Sequence, residues 1–377
     1  MHQSPCAVGT AVQYHPTGAD CHRSEPHIRR TLVASMDLNL LLKWRRTCHS
    51  NYIDVCDELR DSLRLLLAEF VPSPSDLLSL ITRTRALIAG ELALRYVLRD
   101  GRFDPRSLDI YLGNIWFDKF VNAFFDSLAL SGFCISSSVV DCTNAWIASR
   151  QTDHVFIIKL SNGKFITVHS SASPSACHAI ACSPTTLGTT FVTADCFATA
   201  YPQLTLNKRA IICPEELAKC PASELDMYAR LEAYGFSYEV EPSAWLSVTA
   251  STSQDSLMEE IRCPRRAYMC PQQGRYFGDD GSLLDFMDPL RADLTLLKER
   301  SIPPYGHMAV WRLPSYVICD NQCDEVDDIL FPGMLTAPIM FETNALEDAG
   351  LPVLRTSMDD HPLRSPVRPR RSRTRTT

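Results

Sequence analysis

Five residues are candidates for chemistry because of their types and their positions: Gly90, Glu91, Ser107, Asp109 and His169. Asp109 lies in the alternating segment 107–112, a pattern typical of a strand, and Ser107 stands two positions before it. Alternate residues of a strand point to the same side, so these two side chains should share one face. A carboxylate in such a place can ligate a divalent cation or orient a polar ligand.

The elements that would position these residues alternate between strand and helix. A short apolar run, 86–89, ends at Gly90 and predicts a buried strand followed by a tight turn. Asn162-Gly163 predicts a hairpin between two later strands, and His169 lies near the end of the second. The periodicity predicts strands at 86–89, 107–112, 154–160, 164–170, 308–313 and 316–319, and helices at 91–99, 117–130, 194–201, 214–219 and 223–234. This order predicts an α+β fold, in which a mixed sheet has flanking helices.

The pattern of Gly90, Asp109 and His169 resembles the core of the nucleotidyltransferase superfamily, the polymerase-β-like fold. That core has Gly-Gly or Gly-Ser after the first strand, Asp-x-Asp on the second and a third carboxylate on a later strand. The resemblance implies two Mg²⁺ ions that clamp a nucleoside triphosphate and activate the attacking hydroxyl.

A closer resemblance is to degenerate members of this fold from mushroom-forming fungi, and it covers roughly residues 36–325. The segments that carry the resemblance occur in the same order in this chain: Leu41–Arg46, Ile88–Gly90, Leu108–Leu112, Tyr201–Thr205, Tyr228–Arg230, Tyr234–Phe236, Cys270–Pro271, Arg275–Asp279 and Val310–Leu313.

Three departures from the family pattern indicate that catalysis has been lost. Ser107 stands at the first Asp-x-Asp position, His169 stands near the third carboxylate, and Glu91 replaces the small residue after Gly90, where we expect it to crowd a triphosphate. One carboxylate cannot hold two Mg²⁺ ions. We therefore expect a pseudo-nucleotidyltransferase with a non-catalytic binding or scaffold role. The alternative is a divergent active enzyme that uses Asp109 and Mg²⁺, and a nucleotide is a candidate ligand in either case.

Four cysteines in turn-rich segments are candidates for a structural Zn²⁺ site: Cys263, Cys270, Cys319 and Cys323. Neither pair has the usual Cys-x2-Cys spacing, so we expect ordinary thiols and no cofactor, with Zn²⁺ as the alternative. The chain has 15 cysteines, which we interpret mostly as small buried hydrophobic residues.

The segment Asp37–Cys48 resembles the later part of an F-box, the helical motif that docks on a ubiquitin-ligase adaptor. Leu41, Tyr52, Val55 and Leu59 belong to an apolar face with helical spacing that runs from 36 to 70. The usual Leu-Pro opening is absent from 20–36. An F-box-like adaptor is therefore a third functional hypothesis, beside two helices that merely pack on the core.

The formal charge is −7, and six arginines lie between Arg364 and Arg375; without them it would be −13. So acidic a body should repel phosphates, and we expect nucleic acid to bind only through the basic tail. That tail could also direct nuclear import. No apolar run reaches the roughly 20 residues of a membrane span, and no signal peptide is evident, so we expect an intracellular protein, cytoplasmic or nuclear, with a protein partner and no membrane contact.

The composition predicts five segments. Residues 1–35 are expected to be a disordered leader and 36–82 an F-box-like helical segment. The degenerate nucleotidyltransferase-like domain follows at 83–236. A smaller Cys-containing region should occupy 237–350, and 351–377 should form a disordered Arg-rich tail.

Overall fold

A computed structural model describes residues 26–131, 134–141, 152–218, 220, 222–246, 268–270, 273–287, 307–312 and 339–342. The chain divides into two compact units, residues 1–58 and residues 59–377, and the division falls within one helix. The predicted leader up to residue 25, the tail 351–377 and the predicted strand at 316–319 lie outside the described residues.

The part of the first unit that the structure describes, from residue 26 onward, has three helical segments: α1 (Pro26–Ser35), α2 (Leu38–Arg45) and the beginning of α3 (His49–Leu67). Asp37 caps α2, because its carboxylate accepts a hydrogen bond of 2.8 Å from the backbone N–H of Leu40. Arg29 of α1 forms an ion pair of 2.5 Å with Asp54 of α3. Capping and pairing thus give this short segment a defined helical arrangement.

Two expectations for this region need correction. The leader was expected to be disordered to residue 35, but residues 26–35 form α1, whose Val33 is buried. The apolar face from 36 to 70 is interrupted between α2 and α3, and Cys48, which lies at this break, is exposed. The three- and four-residue spacing of the apolar residues continues through the break, because each of the two helices buries its own apolar side.

The second unit is an α+β fold built on an eight-stranded mixed sheet, with strand order β10-β7-β6-β1-β2-β5-β4-β3. The strands are β1 (Leu87–Ala89), β2 (Ser107–Gly113), β3 (Cys134–Asp141), β4 (Thr152–Leu160), β5 (Phe165–Ser171), β6 (Thr190–Val192), β7 (Cys196–Thr199) and β10 (Leu283–Phe286). Only β2 and β5 run parallel among these neighbours. The region 237–350 was expected to pack on the preceding domain, and because β10 joins β7, part of it belongs to the main sheet.

The second unit also contains two-stranded sheets and helices besides the eight-stranded sheet. A parallel pair joins β8 (Arg209–Ile211) to β9 (Ser237–Glu239), and an antiparallel pair joins β11 (His307–Val310) to β12 (Ile339–Glu342). The helices of this unit are α4 (Pro74–Thr84), α5 (Gly90–Leu98), α6 (Phe117–Ser131), α7 (Ala176–Ala181), α8 (Pro202–Thr205), α9 (Pro214–Leu217), α10 (Ala222–Ala233) and α11 (Ser243–Leu246), besides the end of α3. The helix predicted at 194–201 is wrong, since β7 occupies 196–199.

A buried arginine holds the described C-terminal segments against the sheet. Arg275 has no exposed surface, and its guanidinium binds Asp279 through Nε to Oδ2 at 2.5 Å and Nη2 to Oδ1 at 3.0 Å. Nη2 also donates to the carbonyl oxygen of Ala200 at 2.7 Å, and Nη1 donates to that of Tyr268. Backbone hydrogen bonds join Arg275 to Trp311 in both directions. Two of the segments that carry the family resemblance, Arg275–Asp279 and Val310–Leu313, therefore meet at one buried ion pair.

A second polar cluster fixes the loop that precedes β2. Asp100 accepts hydrogen bonds from Arg102 and from Lys208, whose Nζ lies 2.6 Å from Oδ2. These hydrogen bonds, Arg102 first, hold the pKa of the Asp100 carboxyl well below its usual range. Lys164, in the β4–β5 turn, pairs with both Glu69 and Asp104. The loop before the site is thus held at both ends by charge.

Candidate functional site

Gly90 forms the turn between β1 and α5 and lies directly against Asp109. Its φ is +67°, in the left-handed region that favours glycine. Ala89 pairs with Asp109 across the strands, and a Cβ on Gly90 would lie 2.3 Å from Oδ2 of that carboxylate. The glycine therefore serves both the turn and the close approach of the acid.

Ser107, Asp109 and His169 converge, because the strands that carry them are neighbours in the sheet. The Ser107 hydroxyl donates a hydrogen bond of 2.8 Å to Oδ2 of Asp109. The other oxygen, Oδ1, lies 3.8 Å from Nε2 of His169. The parallel pairing of β2 with β5 places Tyr111 beside His169 and Asp109 beside Thr167, so these side chains share a face. Asp109 is therefore held by a hydroxyl on one side and faces an imidazole on the other.

The His169 ring is held by Tyr111, which the sequence analysis did not single out. The two rings stack with centroids 4.3 Å apart and planes 7° from parallel. The side chains of His169 and Asp109 keep 11% and 16% of their surface exposed. Part of each side chain therefore remains in contact with solvent. Tyr111 has the same strand parity as Asp109, and that parity was the available signal.

Glu91 was expected to crowd a triphosphate, but its carboxylate does not occupy the space beside Asp109. Its carboxylate is fully buried, and Oε2 accepts hydrogen bonds from the backbone N–H groups of Arg106 at 2.6 Å and Ser107 at 3.3 Å. Its Oε1 accepts a hydrogen bond of 2.6 Å from Arg230 of α10. Glu91 is thus a positioning residue that holds the beginning of β2, and sequence reasoning missed Arg230 as its partner.

Mg²⁺, the ion that the family resemblance implies, does not fit this site. It requires oxygen ligands in near-octahedral geometry, usually including carboxylates. Of the three carboxylate positions only Asp109 is filled, while a hydroxyl and an imidazole occupy the others. Asp104, in the loop before β2, does not replace a missing carboxylate ligand, because it forms an ion pair with Lys164. Within the described ranges, no group of three or more His, Cys, Asp or Glu side chains could hold a metal ion.

The structure describes one of the four cysteines proposed for zinc. Cys270 is buried, and the other three, Cys263, Cys319 and Cys323, lie outside the described residues. Elsewhere in the second unit, Cys177 and Cys196 are both buried. Burial raises the pKa of both thiols, that of Cys196 to about 12. Buried thiols with raised pKa values are poor nucleophiles.

A cleft of about 100 Å³ lies between α4 and α6, lined by Val71, Leu80, Phe124 and Leu128 among others. No predicted site residue borders it. Of the helices that the structure describes, none combines the length and the apolar character needed to cross a bilayer. Comparisons with protein-family models, with curated proteins and with solved structures gave no match to this chain.

Proposed function

We propose that this chain is a non-catalytic protein with a degenerate nucleotidyltransferase-like site, which binds a ligand at the face around Asp109. The observation that carries the proposal is the environment of that carboxylate. One oxygen accepts the Ser107 hydroxyl and the other faces the imidazole of His169. A transferase of this type needs two metal ions opposite the attacking and leaving oxygens. The donor set supports binding rather than that chemistry.

Two further features support a site retained for binding. The glycine turn still brings its backbone against Asp109, although Glu91 has become a structural residue. The carboxylate of Asp109 lies on a side chain that remains partly exposed, although its neighbours on the same face, Tyr111 and His169, are buried. Burying most of a carboxylate costs free energy, so a hydrophobic residue at this position would stabilise the sheet better. A carboxylate at position 109 is therefore better explained by ligand binding than by stability.

The test is a pyrophosphate-release assay with purified protein, Mg²⁺ or Mn²⁺ and each of the four nucleoside triphosphates. We expect no release above that of the Asp109→Asn variant, which keeps the shape of the side chain and its ability to accept the Ser107 hydrogen bond. Release by the wild-type protein that disappears in Asp109→Asn would refute the proposal and establish the active-enzyme alternative.

A second candidate function, docking on a ubiquitin-ligase adaptor, rests on the first unit. A third helical segment, α1, precedes the F-box-like region, so the segment is longer than the sequence indicated. Ile28 and Leu32, one turn apart on α1, are 57% and 47% exposed, and Leu40 of α2 is 47% exposed. Exposed apolar side chains on a helical unit are suited to a helical docking interface.

The test of this second function is binding of the purified chain to a purified ubiquitin-ligase adaptor subunit. We expect Leu32→Asp and Leu40→Asp to abolish binding. Leu65→Asp is the matched control, because Leu65 is 73% exposed on the part of α3 that belongs to the second unit. Absence of binding by the wild-type chain, or equal loss in the control, would reject this function.

A further inference from the structure

The mismatch with Mg²⁺ has a positive counterpart in the donor atoms that are present. Asp109 offers a carboxylate oxygen and His169 an imidazole nitrogen, and the two atoms lie 3.8 Å apart. Imidazole nitrogen suits Zn²⁺ and similar transition-metal ions, whereas Mg²⁺ prefers oxygen donors alone. The replacement of a carboxylate by His169 therefore changes which ion the site can select.

We propose that Asp109 and His169 together bind a single divalent transition-metal ion of the Zn²⁺ type, with water molecules completing its coordination. This inference rests on the proposed non-catalytic function of the same site. A tetrahedral ion with bonds of about 2.0 Å holds two ligand atoms about 3.3 Å apart. Oδ1 and Nε2, which lie 3.8 Å apart, therefore need to approach each other by only about 0.5 Å.

Both donors are already oriented by neighbours that do not themselves need to bind the ion. The Ser107 hydroxyl holds Oδ2 of Asp109 and leaves Oδ1 facing His169. Tyr111 stacks on the imidazole and restricts its rotation. Partners of this kind fix the geometry of metal ligands and commonly change affinity by about 10–100-fold. The glycine at position 90 leaves the carboxylate its space.

The ion would reach the pair through the part of the two side chains that stays exposed. Asp109 and His169 retain 16% and 11% exposure, which leaves an approach for the ion and its waters. Glu91 is committed to backbone N–H groups and to Arg230, so it does not compete for the ion. Two protein ligands give a weaker site than the three or four of a resident zinc centre, so the ion should exchange.

The test uses the full chain with ¹³C-labelled histidine, and the imidazole signals are followed by NMR during titration with ZnCl₂ and, separately, with MgCl₂. The His169 signal is assigned by its absence from His169→Ala. We expect it to shift with Zn²⁺ and to be unaffected by Mg²⁺. In Asp109→Asn we expect at least about a tenfold weaker response.

His154 provides the matched control, because it is an exposed histidine on β4 with the other strand parity. His154→Ala should leave the His169 response unchanged. The proposal is overturned if His169 responds to Zn²⁺ no more strongly than His154, or if Asp109→Asn titrates like the wild-type chain. Pyrophosphate release is measured in the same Zn²⁺-loaded sample: release there would refute the non-catalytic function while leaving the metal site standing.

Discussion

Replacing Arg275 by methionine removes a buried charge while keeping an apolar chain of similar length. The substitution leaves Asp279, whose side chain is 8% exposed, without its cationic partner. It also leaves the carbonyl oxygens of Ala200 and Tyr268 without the guanidinium. Removing one member of a buried pair typically costs about 3–5 kcal/mol, because the remaining charge is uncompensated. We expect a loss of this size in the free energy of unfolding.

The assay is urea unfolding followed by circular dichroism, with thermal unfolding as a second measurement. At about 2–4 °C per kcal/mol, the expected loss lowers the melting temperature by about 6–20 °C. Arg64→Met is the matched control, since Arg64 and its partner Asp61 are 50% and 71% exposed. Exposed pairs contribute about 0–1 kcal/mol, so the control should be nearly neutral.

A double variant separates charge from packing. In Arg275→Met/Asp279→Asn no unpaired charge remains, so the double variant should lose less free energy than the sum of the two single variants. If Arg275→Met costs no more than Arg64→Met, the buried ion pair does not hold the C-terminal segments, and the reasoning fails. Additive losses would show that the two residues act independently.

Three other predictions concern the turn, acid stability and the thiols. Gly90→Ala should destabilise the chain more than Gly163→Ala in urea unfolding. Both glycines have a positive φ, which costs an alanine about 1–2 kcal/mol at either position. Only at Gly90 does the added Cβ meet a carboxylate within 4 Å. Equal losses would contradict the contact with that carboxylate. Asp100→Asn should lower the free energy of unfolding at pH 7 but have less effect below about pH 4. The folded-state pKa of Asp100 is depressed, so the stabilisation from its carboxylate is lost as the pH falls from the ordinary pKa of an aspartate towards the folded-state pKa. A difference from wild type that is constant between pH 7 and pH 3 would argue against this. Under native conditions iodoacetamide should label exposed Cys48 well before buried Cys196, as read by peptide mass spectrometry, and equal labelling rates would contradict the burial.

The sequence predicts best the elements whose signals are local. The strand that ends at Gly90, the helix after it, and β2 all form, with shifts of a residue or so at their ends. The Asn162-Gly163 hairpin also forms, because the turn residues and the alternation on both sides specify it together. These elements carry Asp109 and His169, but the parallel pairing of β2 with β5 that brings the two side chains together has no local signal.

The sequence fails where a distant partner decides the structure. The segment 194–201 has a helical composition, but residues 196–199 pair with β6 on one side and with β10 on the other. Its Phe197 and Ala198 are fully buried in the sheet, and tertiary contacts of this kind override weak helix propensity. β10 itself is four residues long and has no signal of its own without β7 beside it.

The role of Glu91 was out of reach for a related reason. A glutamate after the glycine turn could be noticed, but its partner Arg230 lies 139 residues later. Only the packing of α10 near the beginning of β2 shows that this carboxylate is structural. Tyr111 could have been found, because strand parity alone placed it on the face of Asp109.

The pairing of β7 with β10 has a consequence for the order of events during synthesis. After Thr199 the ribosome must add more than 80 residues before β10 begins at Leu283, which takes about 4–17 s at 5–20 residues per second. During that interval β7 is an edge strand, and Phe191 has not yet met Phe277, against which its ring packs in the finished chain. An exposed edge of this kind can pair with other chains. The nascent protein therefore passes through a period in which the edge of the unfinished sheet is open to pairing with other chains.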